Sequence, residues 1–444
     1  MMGVMTGEKT GTMTSTPIRT SAGTESENET PATRAWTTRL VIVGIVLTAL
    51  NLRPAITSLG ALLEEVRGGL GMSGSVAGLL TSVPPLCFAV FGVMAPRLAR
   101  RFGPGAVVCA GMVAITAGLA IRPYAGNTAG FLAASALALM GIAVSNVLMP
   151  VIVKRWFPDR VGSMTGLYSM ALALGTSTAA AVTVPMTDGL GGSWQSGLAV
   201  WAGLAAAAIV PWIALVRARG AESASGATAR RTDAGTRTPA RHEPDEFRIT
   251  RSRTAWALAV FFGLQATAAY ITMGWMAQIF RDAGVSAGTA GLLLAVTMVM
   301  GVPLAFVIPR LATRLPHQGP IVVALGACGL AGYAGLYFAP AGGAWAWALL
   351  LGVSNCAFPL ALTMVGMRAR TGAGVAKLSA FAQSAGYLLS IPGPLLVGVL
   401  YQHSGGWGLP LALMAGLMVP QIAVGILAGR NRTVEDEAAR RPHP

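Results

Sequence analysis

Twelve apolar segments of about 20 residues recur along this chain, separated by short polar stretches. An α-helix needs about 20 apolar residues to cross the hydrocarbon layer, because each residue advances the helix by only ~1.5 Å. In lipid a backbone must also satisfy its own hydrogen bonds, which a helix does within one segment. The sequence therefore predicts an all-α integral membrane protein with twelve transmembrane helices.

Composition agrees with this interpretation. Hydrophobic residues make up 54% of the 444 positions and charged residues 11%, whereas a soluble domain carries about 25% charged residues. The four cysteines lie in apolar stretches without metal-ligand spacing, so we expect neither a disulfide framework nor a metal site. The approximate predicted spans are 38–62, 74–98, 105–124, 128–152, 160–186, 195–216, 254–281, 286–309, 319–338, 343–367, 372–400 and 408–429.

Basic residues are distributed very unevenly between the two sides that these spans define. Of 32 Lys and Arg residues, 28 fall on the side of the N-terminus, while Arg67, Arg122 and Arg281 fall on the other side. Basic loops stay in the cytoplasm, so both termini are predicted to be cytoplasmic, in a multi-pass protein of the cell membrane. The net charge of +15 thus reflects membrane topology, and we expect no nucleic-acid partner.

The two halves of the chain repeat each other. GMSGSVAGLL at 71–80 aligns with GVSAGTAGLL at 284–293, and SNVLMP at 145–150 aligns with SNCAFP at 354–359. Two six-helix halves of the same orientation form the parallel-repeat arrangement of the major facilitator superfamily, whose substrate site lies between them. The expected domains are a disordered cytoplasmic tail at 1–37, a six-helix bundle at 38–216, a cytoplasmic linker at 217–253, a second bundle at 254–430 and a cytoplasmic tail at 431–444.

Several stretches resemble one family within that superfamily. They are NLRPAITS in the first span, NVLMPVIVKR and FPDRVGSMTGLYS in the fourth and fifth, GLQATAAYITMGW in the seventh, and FPLALTMVGMRAR and LSAFAQSAGYLL in the tenth and eleventh. Together they resemble the cyanate/2-nitroimidazole transporter family. GVMAPRLARR at 92–101 also resembles the superfamily's loop motif between helices two and three, with Pro96 in place of its Asp. That resemblance implies a cytoplasmic gate loop at Arg97, Arg100 and Arg101.

Arg53 lies deep within the first predicted span. It follows Arg39 by 14 residues, or roughly 21 Å of a layer about 30 Å thick. An arginine at that depth costs at least about 2.5 kcal/mol to insert and must face a partner or a cavity. The sequence offers no acidic partner, so we expect a cavity in which the guanidinium binds an anion. Alternatively, Arg53 could cap helix ends or bond carbonyls of a neighbouring helix. Pro54 predicts a helix kink beside it.

Seven other polar or aromatic residues at similar depth complete the predicted substrate site: Asn146, Gln265, Tyr270, Trp275, Asn355, Gln383 and Tyr387. Gln265 is one position from the repeat equivalent of Arg53 and is expected to oppose it across the cavity. Tyr270 and Trp275 are expected to bracket the substrate. The repeat-related Asn146 and Asn355 either contact substrate or form interhelical hydrogen bonds within their halves.

These features favour a secondary transporter that moves a small anionic or polar nitrogenous solute by alternating access. No phosphate-binding loop, catalytic acid/base pair or cofactor motif occurs, so we expect no cofactor and no enzymatic activity. Proton coupling would have to use the substrate's own proton or a helix-end group such as Glu64 or Glu65. The alternatives are a proton-driven multidrug exporter, which more often carries a membrane-embedded acid, and a non-transporting membrane sensor. We expect the lipid bilayer and a small molecule as partners, and a monomer.

Overall fold

The structure is a computed structural model that describes residues 31–226 and 249–439. These residues form eighteen α-helices, three short 3₁₀ helices and no strand. The α-helices are α1 Pro31–Asn51, α2 Pro54–Ala61, α3 Leu63–Leu70, α4 Gly74–Phe102, α5 Pro104–Ile121, α6 Thr128–Trp156, α7 Val161–Gly189, α8 Trp194–Gly226, α9 Arg253–Asp282, α10 Ala287–Val299, α11 Gly301–Arg314, α12 Gly319–Phe338, α13 Ala344–Asn355, α14 Ala357–Met367, α15 Gly372–Ser390, α16 Pro392–Ser404, α17 Gly408–Ala428 and α18 Val434–Ala439.

The twelve predicted membrane spans are confirmed. Spans 1, 8, 10 and 11 each consist of two consecutive helices, and spans 2 to 7, 9 and 12 are α4 to α9, α12 and α17. The helices of spans 2, 4 and 8 continue to Phe102, Trp156 and Arg314, four or five residues beyond the predicted ends. The reason is that basic side chains in the final turn can reach water while the backbone stays helical.

Because the number of spans is even, the start of α1 and the end of α17 lie on one face of the molecule. This face, which we call the linker face, includes the start of α9 and the end of α17. The opposite face, called the distal face, carries α3 and the ends of α5, α9 and α12. Most of the predicted tail at 1–37 and linker at 217–253 falls outside the described residues, although α8 extends to Gly226 and the 3₁₀ helix Ile249–Arg251 precedes α9.

Two of the four interrupted spans break next to a proline that removes a backbone hydrogen bond. Pro54, at the first turn of α2, has no N–H for the carbonyl of Leu50, so α1 ends at Asn51. Likewise Pro359 leaves the carbonyl of Asn355 without its helical donor, and the chain breaks at Cys356. The kink predicted at Pro54 is therefore present, and three further breaks occur that the sequence analysis did not anticipate.

Small residues let the helices within each half pack closely. A Cβ at Gly111 would lie 2.6 Å from the Ser145 hydroxyl, and a Cβ at Gly118 would lie 2.6 Å from the Ala134 carbonyl. In the second half, a Cβ at Gly329 would lie 2.5 Å from the hydroxyl of Ser354. Lipid is as apolar as leucine, so this close backbone approach replaces hydrophobic burial as the basis of helix association.

Two arginines that the predicted spans place at or just beyond a span end, Arg122 in 105–124 and Arg368 after 343–367, are almost fully buried. Arg368 is 1% exposed and donates to the carbonyls of Ala428 (3.0 Å) and Gly429 (2.9 Å) and to the side chain of Gln318. It thereby caps the end of α17, which is the role that the sequence analysis had offered as an alternative for Arg53. Arg122 is 2% exposed and binds the first span near the distal face.

The short C-terminal helix α18 closes the linker face of the second half. The Glu437 carboxylate accepts hydrogen bonds from the hydroxyls of Ser252 and Thr254 at 2.6 Å and from the backbone N–H of Thr254 at 3.2 Å. Glu437 therefore occupies the N-terminus of α9, where a negative charge is favoured by the helix dipole.

This contact predicts a pH-dependent contribution to stability. Burial alone would raise the pKa of Glu437, but hydrogen bonds from Ser252 and Thr254 outweigh it and hold the pKa below its ordinary value. The carboxylate therefore stabilises the fold above the unfolded-state pKa of about 4.3, and the contribution is lost as pH falls through the lower folded-state pKa. We expect Glu437→Gln to lower Tm at pH 7 and the difference from wild type to shrink toward a pH of about 3.5.

Thermal unfolding in detergent between a pH of about 3.5 and pH 7 measures this effect. Asp159→Asn, which removes an exposed carboxylate on the same face, is the matched control and should not reproduce the trend. If the Tm of Glu437→Gln differs from that of the wild type by the same amount across this pH range, the role assigned to Glu437 is wrong.

Candidate functional site

A cavity of ≈ 450 Å³ lies between the two halves, within the usual size range of small-molecule sites. It extends from Arg53 in span 1 toward the linker face, where Pro150, Thr165 and Leu362 line it near the ends of their spans. Polar residues on its wall are Arg53, Asn146, Thr165, Tyr168, Ser169, Thr176, Tyr270, Asn355, Ser379, Gln383 and Tyr387. No carboxylate or imidazole occurs among the described residues that line it.

Arg53 occupies the break in span 1. The helix ends at Asn51 and restarts at Pro54, with Arg53 as the N-cap residue in a non-helical conformation. Its side chain is partly exposed to the cavity, and its guanidinium carbon lies 5.8 Å from the centre of the Phe88 ring. Within the described part of the chain Arg53 forms no ion pair. Its charge is therefore left for whatever occupies the cavity.

Aromatic rings surround the guanidinium on one side. Phe88 stacks on Tyr387 with ring centres 4.9 Å apart, and Tyr270 lies 6.4 Å from Phe88 and 6.5 Å from Tyr387. The Tyr270 hydroxyl lies beside the guanidinium of Arg53, although it makes no hydrogen bond of normal geometry. These rings come from both halves of the chain, so the site is complete only when the halves are together.

The repeat-related asparagines both line the cavity and also bond within their own halves. The side-chain oxygen of Asn146 accepts from the Tyr168 hydroxyl at 2.5 Å, and that of Asn355 accepts from Gln265 at 2.8 Å. Engaging the amide oxygens leaves the amide NH₂ groups for the cavity. Both roles considered for these residues are thus compatible, and their NH₂ groups add donors to the site.

Gln265 lies behind the cavity wall rather than across from Arg53. It is 1% exposed, and its Nε2 donates to the side chain and to the carbonyl of Asn355, the carbonyl that Pro359 leaves unbonded. Its Oε1 accepts from Gln421 at 2.9 Å. Gln265 therefore does not face Arg53 across the cavity, as was expected. Its side chain instead binds the carbonyl of Asn355, which is left without a helical donor at the break in span 10.

Trp275 does not line the cavity either. It is five residues beyond Tyr270 on the continuous helix α9, which places the two side chains about 140° apart around the helix and ~7.5 Å apart along it. The indole N–H of Trp275 donates to Thr81 at 3.2 Å, and its ring packs against Tyr401 and Trp407 near the distal face. The two rings therefore cannot bracket one ligand.

The predicted gate loop is not a loop in the structure. Arg97, Arg100 and Arg101 all lie in α4, which continues to Phe102, and all three are exposed. Arg97 approaches the carbonyl of Val93 in its own helix, and Arg101 lies over the ring of Phe102. None forms an ion pair with a described carboxylate, in keeping with the absence of the motif's acid at Pro96.

Several residues of the site were not predicted from the sequence, and two of them lie against predicted site residues. Tyr168 lines the cavity and bonds Asn146, and Phe88 lies beneath Arg53. Tyr168 falls within the family-like stretch FPDRVGSMTGLYS, so the signal was present but unused. Phe88 gave no signal, because one aromatic residue in an apolar helix looks the same whether it faces a cavity or lipid.

The distal side of the site is closed by contacts between the halves. Arg281 of α9 pairs with Glu64 at 2.8 Å and with Glu65 at 2.9 Å, both on α3. The Asp282 carboxylate accepts from Tyr401 and Trp407 at 2.8 Å, which orders the ring cluster around Trp275. We call these residues, with the helix crossing at Gly78, the distal closure.

The sequence profile of the Major Facilitator Superfamily matches residues 41–391. The chain belongs to this superfamily. Among curated proteins it is 34% identical over 399 residues to the uncharacterized transporter YycB of Bacillus subtilis, covering 89% of this chain and 94% of that one. It is 32% identical to the 2-nitroimidazole transporter of Escherichia coli, and that match covers 89% of this chain and 96% of that one. It is 29% identical to the cyanate transport protein CynX of the same organism, with 85% of this chain and 95% of that one covered. The family indicated by the motifs is thereby confirmed.

Solved structures show the same fold. The nucleoside transporter NupG matches with a TM-score of 0.65 at 14% identity, covering 89% of this chain and 98% of that one. The xylose transporter XylE from Escherichia coli, in an inward-open conformation, matches with a TM-score of 0.66 at 11% identity, covering 91% and 99%. At these identities the likeness concerns the fold alone.

The crossing at Gly78 allows a test of the distal closure. A Cβ at position 78 would lie 2.9 Å from the carbonyl oxygen of Leu395 and 3.1 Å from the Cα of Gly398, both across the interface. We expect Gly78→Leu to force the distal ends of the halves apart. Spin labels at the exposed distal positions Tyr124 and Phe338, in a background lacking the native cysteines, should report a longer distance.

Gly68→Leu is the control, because a Cβ at that distal position meets nothing within 4 Å. It should leave the distance between the labels unchanged. An unchanged distance in Gly78→Leu would mean that the Gly78 crossing does not hold the distal face closed.

Proposed function

We propose that this protein is a secondary active transporter that carries a small anionic or polar nitrogenous solute, of the cyanate or nitro-heterocycle class, by alternating access. The proposal rests on the position of the Arg53 guanidinium. It lies at the end of the central cavity farthest from the linker face, and the described lining of this cavity contains no carboxylate. A guanidinium presents a planar set of donors that matches carboxylate, nitro and related groups.

The other groups of the cavity favour the same class of solute. The NH₂ groups of Asn146 and Asn355 add donors, while the Phe88–Tyr387 stack offers a flat apolar surface beside the charge. A three-atom anion would fill only a small part of ≈ 450 Å³, whereas a planar ring bearing an anionic or nitro group would contact both the donors and the rings. The names of the 2-nitroimidazole and cyanate relatives are consistent with this class.

The distribution of basic residues indicates how the protein is oriented in the membrane. Because 28 of the 32 Lys and Arg residues fall in sequence segments that the predicted spans place on the side of the N-terminus, we assign the linker face to the cytoplasm of a cell-membrane protein. The cavity then extends toward the cytoplasm while the distal closure separates it from the outside. Transport requires the opposite state, in which the halves rock about the fixed site at Arg53.

A proton-driven exporter is less well supported. Such a mechanism needs a group that binds and releases a proton within the transport path, and the described cavity lining has no Asp, Glu or His. Glu64 and Glu65 lie in the distal closure, where both pair with Arg281. A proton carried by the substrate remains compatible with this arrangement.

Removing the guanidinium tests the proposal. Charge-assisted hydrogen bonds contribute about 1.5–3 kcal/mol, so we expect Arg53→Ala to weaken substrate affinity roughly 10- to 150-fold. Arg53→Lys should give an intermediate loss, because an ammonium keeps the charge but not the planar donor pair. Thermal-shift binding and uptake into proteoliposomes, screened against cyanate, 2-nitroimidazole and other small anions, provide the measurements.

Arg310→Ala, which removes an exposed arginine of the linker face, is the control and should bind as wild type does. If a transported substrate is found and Arg53→Ala retains both its affinity and its uptake, Arg53 is not the substrate contact and the proposal fails.

The aromatic wall makes a separate prediction. Tyr387→Leu removes the ring that stacks on Phe88 while keeping an apolar side chain. Aromatic contacts contribute about 0.5–1.5 kcal/mol, so affinity for 2-nitroimidazole should fall roughly 2- to 12-fold while that for cyanate changes little. Equal losses for both compounds in competition binding would indicate a general distortion of the site instead of a lost ring contact.

A further inference from the structure

A second, smaller cavity lies between Arg53 and the distal closure. Its volume is ≈ 20 Å³, enough for one small ion or water molecule. The wall is mostly apolar, and its polar side chains are Arg122, Ser135, Thr81 and Tyr270. The functional site described above leaves this cavity without a role.

Arg122 is the unusual member of this wall. It is 2% exposed, and its terminal nitrogens donate to the carbonyl of Ala55 at 2.9 Å and to the hydroxyl of Ser58 at 3.5 Å. Both acceptors are neutral, and within the described part of the chain Arg122 forms no ion pair. The end of α5 and the ring of Phe131, 6.0 Å away, supply only partial negative charge. A buried guanidinium normally needs a full counter-charge.

Three buried polar atoms on this wall have no hydrogen-bond partner. They are the Nε of Arg122, the hydroxyl oxygen of Ser135, a side chain that is 1% exposed, and the hydroxyl oxygen of Tyr270. Nε–H is a donor, and a hydroxyl can donate as well. Donors beside an uncompensated positive charge select an acceptor that carries a negative charge.

We propose that the cavity between Arg122 and Ser135 binds a small inorganic monoanion, such as chloride, at a site separate from the substrate cavity. The anion neutralises Arg122 and accepts hydrogen bonds from its Nε and from the Ser135 hydroxyl. Because the cavity holds only one small ion, a solute with a ring cannot enter it.

The position of this site couples the anion to conformation. Leu59, Arg122 and Ser135 belong to the first half of the chain, whereas Tyr270 and Gly274 of α9 close the cavity from the second half. Separating the halves at the distal face would open the cavity to water and weaken its hold on an ion. Since a ligand favours the state that binds it better, the anion should stabilise the distally closed conformation.

Chloride titration of the purified full-length protein in lipid nanodiscs tests this proposal. Replacing sodium gluconate with sodium chloride at constant ionic strength should raise the Tm of the wild type by about 2 °C or more. In Ser135→Ala the chloride concentration for half-maximal effect should rise about tenfold, as expected for one lost hydrogen bond to an anion. Ser135→Ala is preferred over Arg122→Gln because Arg122 also holds the first span.

Ser145→Ala is the matched control. Ser145 lies on the same helix, is equally buried and also has a hydroxyl without a partner, but it does not line the cavity. Its chloride response should equal that of the wild type. Spin labels at Tyr124 and Phe338 should also show a larger distally closed fraction in chloride for the wild type and Ser145→Ala.

A Tm that does not depend on chloride would show that the cavity holds water only and would overturn the proposal. Equal chloride responses in Ser135→Ala and Ser145→Ala would assign the effect to general salt binding and overturn it too. Neither result depends on a transport substrate, so the test is independent of the role proposed for Arg53.

Discussion

A bilayer offers no hydrogen-bond partners, so every interruption of a membrane helix must be satisfied by the protein itself. This constraint explains much of the site. Pro54 breaks span 1 and allows Arg53 to leave the helical ladder at the level of the cavity. Pro359 breaks span 10, and Gln265 then binds the exposed carbonyl of Asn355 while Gln421 holds Gln265 in place. The features that shape the cavity therefore depend on how these helix breaks are satisfied.

Three arginines within or next to the membrane spans lie away from bulk water, and the charge of each has different neighbours. Arg368 is surrounded by carbonyls at the end of α17, Arg122 has neutral acceptors and a small cavity, and Arg53 faces a large cavity lined by donors and rings. Deep burial does not by itself mark an arginine as a ligand contact, since Arg53, the proposed substrate contact, is the least buried of the three. The distinction comes from what remains for the charge to bind.

The central cavity extends toward the linker face and is closed off from the distal face by contacts between the halves. In the distal closure, Arg281 of α9 pairs across the halves with Glu64 and Glu65 of α3. Asp282 binds Tyr401 and Trp407 within the second half. Close crossings such as that at Gly78 depend on the absence of side-chain atoms. An interface held by ion pairs and close backbone crossings suits the rocking of the halves that we propose.

The amino-acid sequence by itself determined the twelve spans, the repeated halves, the family and the depth of Arg53 in span 1, because span length, sequence motifs and the position of a cation within a span can be read from the residues. It also selected six of the residues that line the cavity: Arg53, Asn146, Tyr270, Asn355, Gln383 and Tyr387. Only the tertiary structure decided that Gln265 serves Asn355, that Trp275 belongs to the distal closure, and that Arg122 and Arg368 are buried. Depth along a helix can be read from sequence, but the direction in which a side chain points and the helix that it meets depend on packing between distant segments.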